Sequence, residues 1–185
     1  MTAYPGRTYR FLTETPYFPF GYGLSYSTFS NNALTLSQSV IRPCDDITVT
    51  FDVKNLGPFV ADQVCQVYLK VLVGNDDIVR DQLRLVNFTK LHGVQIQKTV
   101  QVSLLISYER MTVTKGLNFH QVIEPGTYQV FVGGYLTVDI DSVSGAASYP
   151  TLLNATFVIE GNTTNVQTCQ QQTNLQNMAF VEVHV

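Results

Sequence analysis

Ile47-Thr48-Val49-Thr50-Phe51-Asp52-Val53-Lys54 decides the fold class. Its apolar residues occupy every second position, so an extended chain presents one apolar face and one wet face. That is the signature of a half-buried β-strand. The same pattern recurs downstream. Cys65, Val67, Leu69, Val71 and Val73 share one face, and Val100, Val102, Leu104 and Ile106 share another. Tyr128, Val130 and Val132 follow the turn Glu124-Pro125-Gly126 and stop at Gly133-Gly134. Ala155, Phe157 and Ile159 close the series, with weaker strands over 33–38, 83–88 and 117–123. Short polar or Gly/Pro breaks separate these runs, and the one helical signal is a short turn at Ser107–Met111. Strands without intervening long helices predict an all-β antiparallel sandwich over residues 31–160, not a βαβ fold.

Composition narrows the function. The 185 residues are 45% hydrophobic and 14% charged, with net charge −3. Ample apolar content with little charge argues against intrinsic disorder. Isolated basic residues without a cluster argue against nucleic acid as a partner and against a polybasic membrane patch. No run approaches the roughly 20 apolar residues of a membrane helix.

Residues 1–30 have a different texture. They hold nine aromatic residues among Pro5, Pro16, Pro19, Gly21 and Gly23, with neither helical nor strand period. Pro and Gly at this density favour an extended path. Tyr17, Phe18, Phe20, Tyr22, Tyr26 and Phe29 exceed what a sandwich filled by five alternating strands can bury. Left in water they form a patch larger than monomers tolerate, so the segment reads as a docking linker. Residues 161–177 are Gln/Asn/Thr-rich and open a polar tail, 161–185, expected to be mobile. Ala179–Val185 alternates again and reads as an edge strand or as disordered.

Catalytic constellations are missing from the pattern. His92, His120 and His184 are far apart and lack metal-ligand spacing, so no metal site and no cofactor are expected. No nucleophile elbow and no phosphate-binding glycine loop is present. Asp45-Asp46, Asp76-Asp77, Asp139 and Asp141 fall at strand ends and turns, where Asp caps backbone. Nothing sets two of them across a cleft at the roughly 5–9.5 Å that glycoside hydrolysis requires. Exposed tyrosines (Tyr17, Tyr22, Tyr26, Tyr108, Tyr135, Tyr149) offer an alternative, a carbohydrate-binding platform with an oligosaccharide partner; the chain has no Trp.

Cys44, Cys65 and Cys169 have no CxxC spacing. Cys65 lies on an apolar strand face and reads as a buried inert thiol. Cys44 and Cys169 are the disulfide candidates, should the tail fold back. Asn87-Phe88-Thr89, Asn154-Ala155-Thr156 and Asn162-Thr163-Thr164 are glycosylation candidates.

At this point the residues resemble a known family. Tyr4-Pro5-Gly6-Arg7-Thr8-Tyr9-Arg10-Phe11 and Pro19-Phe20-Gly21-Tyr22-Gly23-Leu24-Ser25-Tyr26-Ser27-Thr28-Phe29 resemble the linker entering the C-terminal domain of family 3 glycoside hydrolases, the β-glucosidases and β-xylosidases. The likeness continues at Val53-Lys54-Asn55-Leu56-Gly57, at Ala61–Leu69, at Leu85-Val86-Asn87-Phe88 and at Val122–Gly134, covering about residues 4–160. It is nearer the β-xylosidase-like branch, including animal members.

The resemblance implies a fibronectin type III-like sandwich with an extended aromatic N-terminal linker. In the family this domain follows a catalytic (β/α)8 barrel and an α/β/α sandwich, which carry the catalytic residues. None of those maps onto this chain. The implied role is a non-catalytic accessory domain whose partners are those catalytic domains, in a parent that hydrolyses O-glycosyl bonds. Met1 falls where a full-length member continues upstream, and no secretory signal follows it. The expectation is therefore a fragment of a longer extracellular or lysosomal chain. Asn87 replaces a family glycine, which implies a tight left-handed turn there.

Overall fold

Ile47, Val49, Phe51 and Val53 are all fully buried, while Thr48, Thr50, Asp52 and Lys54 between them stay partly wet, in the computed structural model of the chain. The model describes residues 8–11, 16–74, 80–116, 118–134, 139–140, 147–148 and 152–172. In chain order the strands are β1 (Thr28–Leu36), β2 (Val40–Ile41), β3 (Ile47–Gly57), β4 (Ala61–Val73), β5 (Arg84–Val94), β6 (Thr99–Ile106), β7 (Val113–Lys115), β8 (His120–Ile123), β9 (Gly126–Gly133), β10 (Asp139–Ile140), β11 (Ala147–Ser148), β12 (Leu153–Ile159) and β13 (Thr164–Asn165).

Two sheets stack. One runs β1-β3-β6, the other β2-β12-β9-β4-β5. The pairing is antiparallel except at β2, which lies parallel to the end of β12 through Val40↔Val158 and Ile41↔Ile159. Between the sheets lie Phe51 and Val53 from one side and Cys65, Val67, Val130, Val132 and Phe157 from the other. Tyr128 and Phe157 stack with centroids 5.4 Å apart. Each fully buried aliphatic or aromatic side chain stabilises such a core by about 1.5–3 kcal/mol. Burial pushes the Cys65 thiol up to about 11 and, with the Glu124 carboxylate nearby, the Tyr128 phenol up to about 12. Cys65 is accordingly a packed hydrophobe and not a nucleophile. Gly126 is required by close approach: a Cβ there would meet the Val73 carbonyl oxygen at 2.0 Å.

The weaker strand signals over 33–38, 83–88 and 117–123 correspond to β1, β5 and β8. The turn at Ser107–Met111 is a 3-10 helix, Tyr108–Met111, whose Met111 seals the core. Asn87 lies in mid-strand opposite Val67, where the β4–β5 register slips by one residue. A bulge, not a left-handed turn, therefore accommodates it.

Residues 161–172 are not a loose tail. β13 pairs with β8, a helical segment covers 166–172, and Val166 and Cys169 enter the main core. Cys169 is bonded to Cys44, 125 positions earlier. The polar composition concealed this because two buried side chains and one covalent bond suffice to hold so short a segment. The alternating stretch Ala179–Val185 lies outside the described residues.

Candidate docking surface

The aromatic leader divides into an inward half and an outward half. Tyr9 lies over the outer face of the five-stranded sheet, joining Leu85 beside a second apolar cluster of Tyr68, Leu83, Phe131 and Leu152. Its hydroxyl accepts the Leu85 N–H at 2.9 Å. Phe20 stacks on Tyr9 with centroids 4.1 Å apart and meets Tyr68 edge-on at 6.5 Å. Such geometries are the favourable ones for paired rings. Burial drives the Tyr68 phenol well above its ordinary range, so it stays protonated and donates to Gln66. Arg10 pairs with Asp81, and the Gln82 N–H donates to the Arg10 carbonyl at 2.7 Å. Gly21, at φ +81, passes so close to Gln66 that a Cβ would lie 2.6 Å from its amide nitrogen.

Beyond this seam the leader turns outward. Tyr17 is 100% exposed, Leu24 93% and Tyr26 89%. Phe18 and Tyr22 rest on each other at 5.6 Å between centroids, on the surface. Leu24 and Tyr26 line a groove of about 590 Å³ with Phe59 and Val60 from the β3–β4 connection and Asp62 from the start of β4. No charged residue occurs between Tyr17 and Phe29.

Of the six aromatics expected to dock, Phe29 is a correction. It sits in β1, in register with Asn55, and packs against the main core, so strand β1 begins inside the segment read as linker. Phe20 is divided between its own sheet and solvent. The other four face outward.

Asn55 is the residue that the sequence reading missed. It is fully buried. Its amide nitrogen donates to the Phe59 carbonyl at 2.8 Å and the Val94 carbonyl at 2.9 Å. Its oxygen accepts from the Ser27 hydroxyl at 2.6 Å and the Gly57 N–H at 2.8 Å. One side chain thus ties the end of the leader to the connection that bears Phe59. The available signal was the alternation itself: counting on from Ile47, position 55 is inward, and Asn there demands several partners.

The carboxylates that could do chemistry are otherwise engaged. Asp45 accepts from the Arg42 N–H, Asp46 from the Tyr108 N–H, and Glu124 pairs with Arg80 at 2.7 Å. Lys90 at 2.9 Å, the Gly93 N–H and His92 hold the Asp62 carboxyl down at about 2. Asp76, Asp77 and Asp141 lie outside the described residues, and nothing is described of the Asp139 side chain. No cluster of metal-ligating side chains occurs among the described residues. Among them, too, no helix is long and apolar enough to cross a membrane. As sugar platforms, Tyr17, Tyr22 and Tyr26 are accessible, whereas Tyr108 packs against the core. Tyr135 and Tyr149 lie outside the described residues.

Comparison with known proteins agrees with this architecture. Residues 63–135 match the fibronectin type III-like domain model. A β-xylosidase of Formosa agariphila is 32% identical over 133 residues, 71% of this chain and 18% of that protein. A β-glucosidase of Kluyveromyces marxianus is 38% identical over 134 residues, 69% of this chain and 14% of that protein. The structure of β-glucosidase 3B from Thermotoga neapolitana in complex with glucose superposes with a TM-score of 0.66 at 25% identity, covering 85% of this chain and 19% of that one. The chain thus spans less than one fifth of the length of these relatives. The sandwich, with its aromatic leader, is a fibronectin type III-like domain of the kind carried by the β-glucosidases and β-xylosidases of glycoside hydrolase family 3.

Proposed function

We propose that the chain serves as the non-catalytic C-terminal accessory domain of a family 3 glycoside hydrolase that cleaves O-glycosyl bonds. It docks through the outward half of its leader on the catalytic barrel and α/β/α domains and stabilises them. One observation carries this reading: Tyr17, Leu24 and Tyr26 stand almost fully in water, the latter two beside Phe59 and Val60. An uncharged apolar strip of this kind marks an interaction surface. Its occupant is inferred from length, since more than four fifths of each relative lies outside the matched portion. The Cys44–Cys169 bond supports an extracellular or lysosomal setting, because structural disulfides persist where the environment is oxidising. On this reading the chain is one piece of a longer secreted polypeptide.

The test is a graft. The chain replaces the corresponding domain of the Kluyveromyces marxianus β-glucosidase, with and without Leu24→Ser and Tyr26→Ser. The expected outcome is a melting temperature near that of the unaltered enzyme for the graft, and a drop of several degrees with the two serines. Equal melting temperatures would refute docking through this strip. The carbohydrate-module reading predicts instead that the chain alone binds xylo- or cello-oligosaccharides at millimolar concentration or better. The accessory-domain reading predicts no binding there and no turnover of an aryl glycoside.

A further inference from the structure

The three glycosylation triplets occupy very different places. Asn87 lies inside β5, half-buried. Its amide nitrogen donates to the Leu105 carbonyl at 2.7 Å, and its oxygen accepts the Phe88 N–H at 2.7 Å. Asn154 lies inside β12, paired with Phe131, and its oxygen accepts from the Gln129 amide at 3.0 Å. Phe131 and Leu152, its neighbours, belong to the apolar cluster beside which the leader packs.

Asn154 is itself exposed, but both it and Asn87 sit within paired strands, whereas Asn162 lies outside any strand. Asn162 is exposed, in the bend joining β12 to β13, and Glu160, Gly161 and Thr163 around it are exposed as well. The bend is fixed on both sides: the Glu160 N–H donates to the Ile41 carbonyl at 2.9 Å, and Thr164 pairs with Ile123. Within it the Thr164 hydroxyl donates to the Asn162 carbonyl at 2.8 Å, so acceptor and hydroxyl share one turn. Leu152, which lines a cavity beneath the leader, precedes β12, and Asn162 follows it. Seven extended residues set the two ends about 20 Å apart. A bulky glycan on Asn162 therefore clears the docking strip.

A second observation is independent of the triplets. The Cys44–Cys169 bond lies beside this bend, since Gly161 approaches Pro43 and Cys169 follows β13. A chain that forms this bond matures in an oxidising lumen, the same setting in which such triplets are modified.

We propose that Asn162 is an N-glycosylation site, taking an oligosaccharide from a pyrophosphate-linked lipid donor, and that it is occupied ahead of Asn154 and Asn87. In the transfer the Asn162 amide nitrogen bonds to the anomeric carbon of the donor's first sugar. The bond from that carbon to the pyrophosphate oxygen breaks, and the lipid pyrophosphate departs with the electron pair. The nitrogen gives up one proton. The proposal is independent of the docking reading and stands whether or not the strip meets a catalytic domain.

The full chain, translated with a cleavable signal into endoplasmic reticulum microsomes, tests it. Deglycosylation in heavy-oxygen water followed by peptide mass mapping reads each site. The expected result is heavy-oxygen Asp at position 162 in most molecules, at several times the level found at 87 or 154. Asn162→Gln and Thr164→Ala each remove one glycan's mobility shift, Thr164→Ser keeps it, and Asn87→Gln changes nothing. Unmodified Asn162 in chains carrying the Cys44–Cys169 bond overturns the proposal. So does higher occupancy at Asn87 or Asn154, or a shift that survives Asn162→Gln.

Discussion

The two ends of the sandwich treat their apolar side chains in opposite ways. At the end where β12 finishes, the chain folds back on itself: β13 adds to β8, Val166 and Cys169 enter the core, and a covalent bond secures the closure. At the end where β12 begins, the leader lays Tyr9 and Phe20 on the sheet but leaves Tyr17, between them, and Leu24 and Tyr26, after them, in solvent. One end is finished by the chain alone. The other has a frame, held by Asn55, but its apolar surface is uncovered. On the docking reading proposed above, stability and recognition are set at opposite ends of the same strands, and changes at each should register in different measurements.

Breaking the closed end gives the largest effect. Cys44→Ser with Cys169→Ser removes a cross-link spanning 125 positions and should cost about 4 kcal/mol in denaturant unfolding of the chain. A loss below about 1 kcal/mol would mean that the packing of Val166 and its neighbours, not the bond, closes this end. Next comes the frame of the open end. Asn55→Ala leaves one buried and one part-buried carbonyl, one N–H and one hydroxyl without this partner, a cost of about 3 kcal/mol. Amide exchange should rise at Gly57 and around Phe59 while the core of β9 stays protected.

The strip itself should be nearly silent in isolation. Leu24→Ser with Tyr26→Ser should move the stability of the chain alone by no more than about 0.5 kcal/mol, as for surface positions generally. The same pair should be felt only when catalytic domains are attached, and a large effect in isolation would show that the leader is internally packed. The smallest effect concerns Asp62 at the rim of the groove. Its carboxyl titrates at about 2 in the folded chain against an ordinary 3.8. A depressed acid contributes stability above its unfolded value and loses it as pH falls through the folded one. Asp62→Asn should therefore flatten the stability profile between about pH 4 and pH 2, with its small destabilisation present at neutral pH and gone below about pH 2. Carboxyl NMR titration reads the same group directly.

How much of this was legible in the sequence depended on whether a local period was present. β3, β4, β6, β9 and β12 followed from strict alternation, because burial on one face forces it. The leader's composition pointed to a surface role, but composition does not say which rings turn inward. Phe29 was not legible as part of β1 because its alternation with Leu34 and Leu36 is broken by a register slip between Asn32 and Thr35. Tyr9 and Phe20 pack on the outer sheet face, where Tyr68 and Phe131 read as the wet side of their strands until a partner covers them. The backward fold of 164–172 depends on a contact between residues 125 positions apart, which no local pattern encodes.

The bond between Cys44 and Cys169 also has a topological consequence. Every strand from β3 to β13 lies on the stretch of backbone it closes into a ring. A protease that opens one surface turn anywhere on that ring converts it to a line but releases nothing; without reductant the cut molecule keeps its mass. A cut in the leader, ahead of the ring, sets the aromatic segment free. Limited digestion run with and without thiol would thus separate the handle from the body it is fastened to.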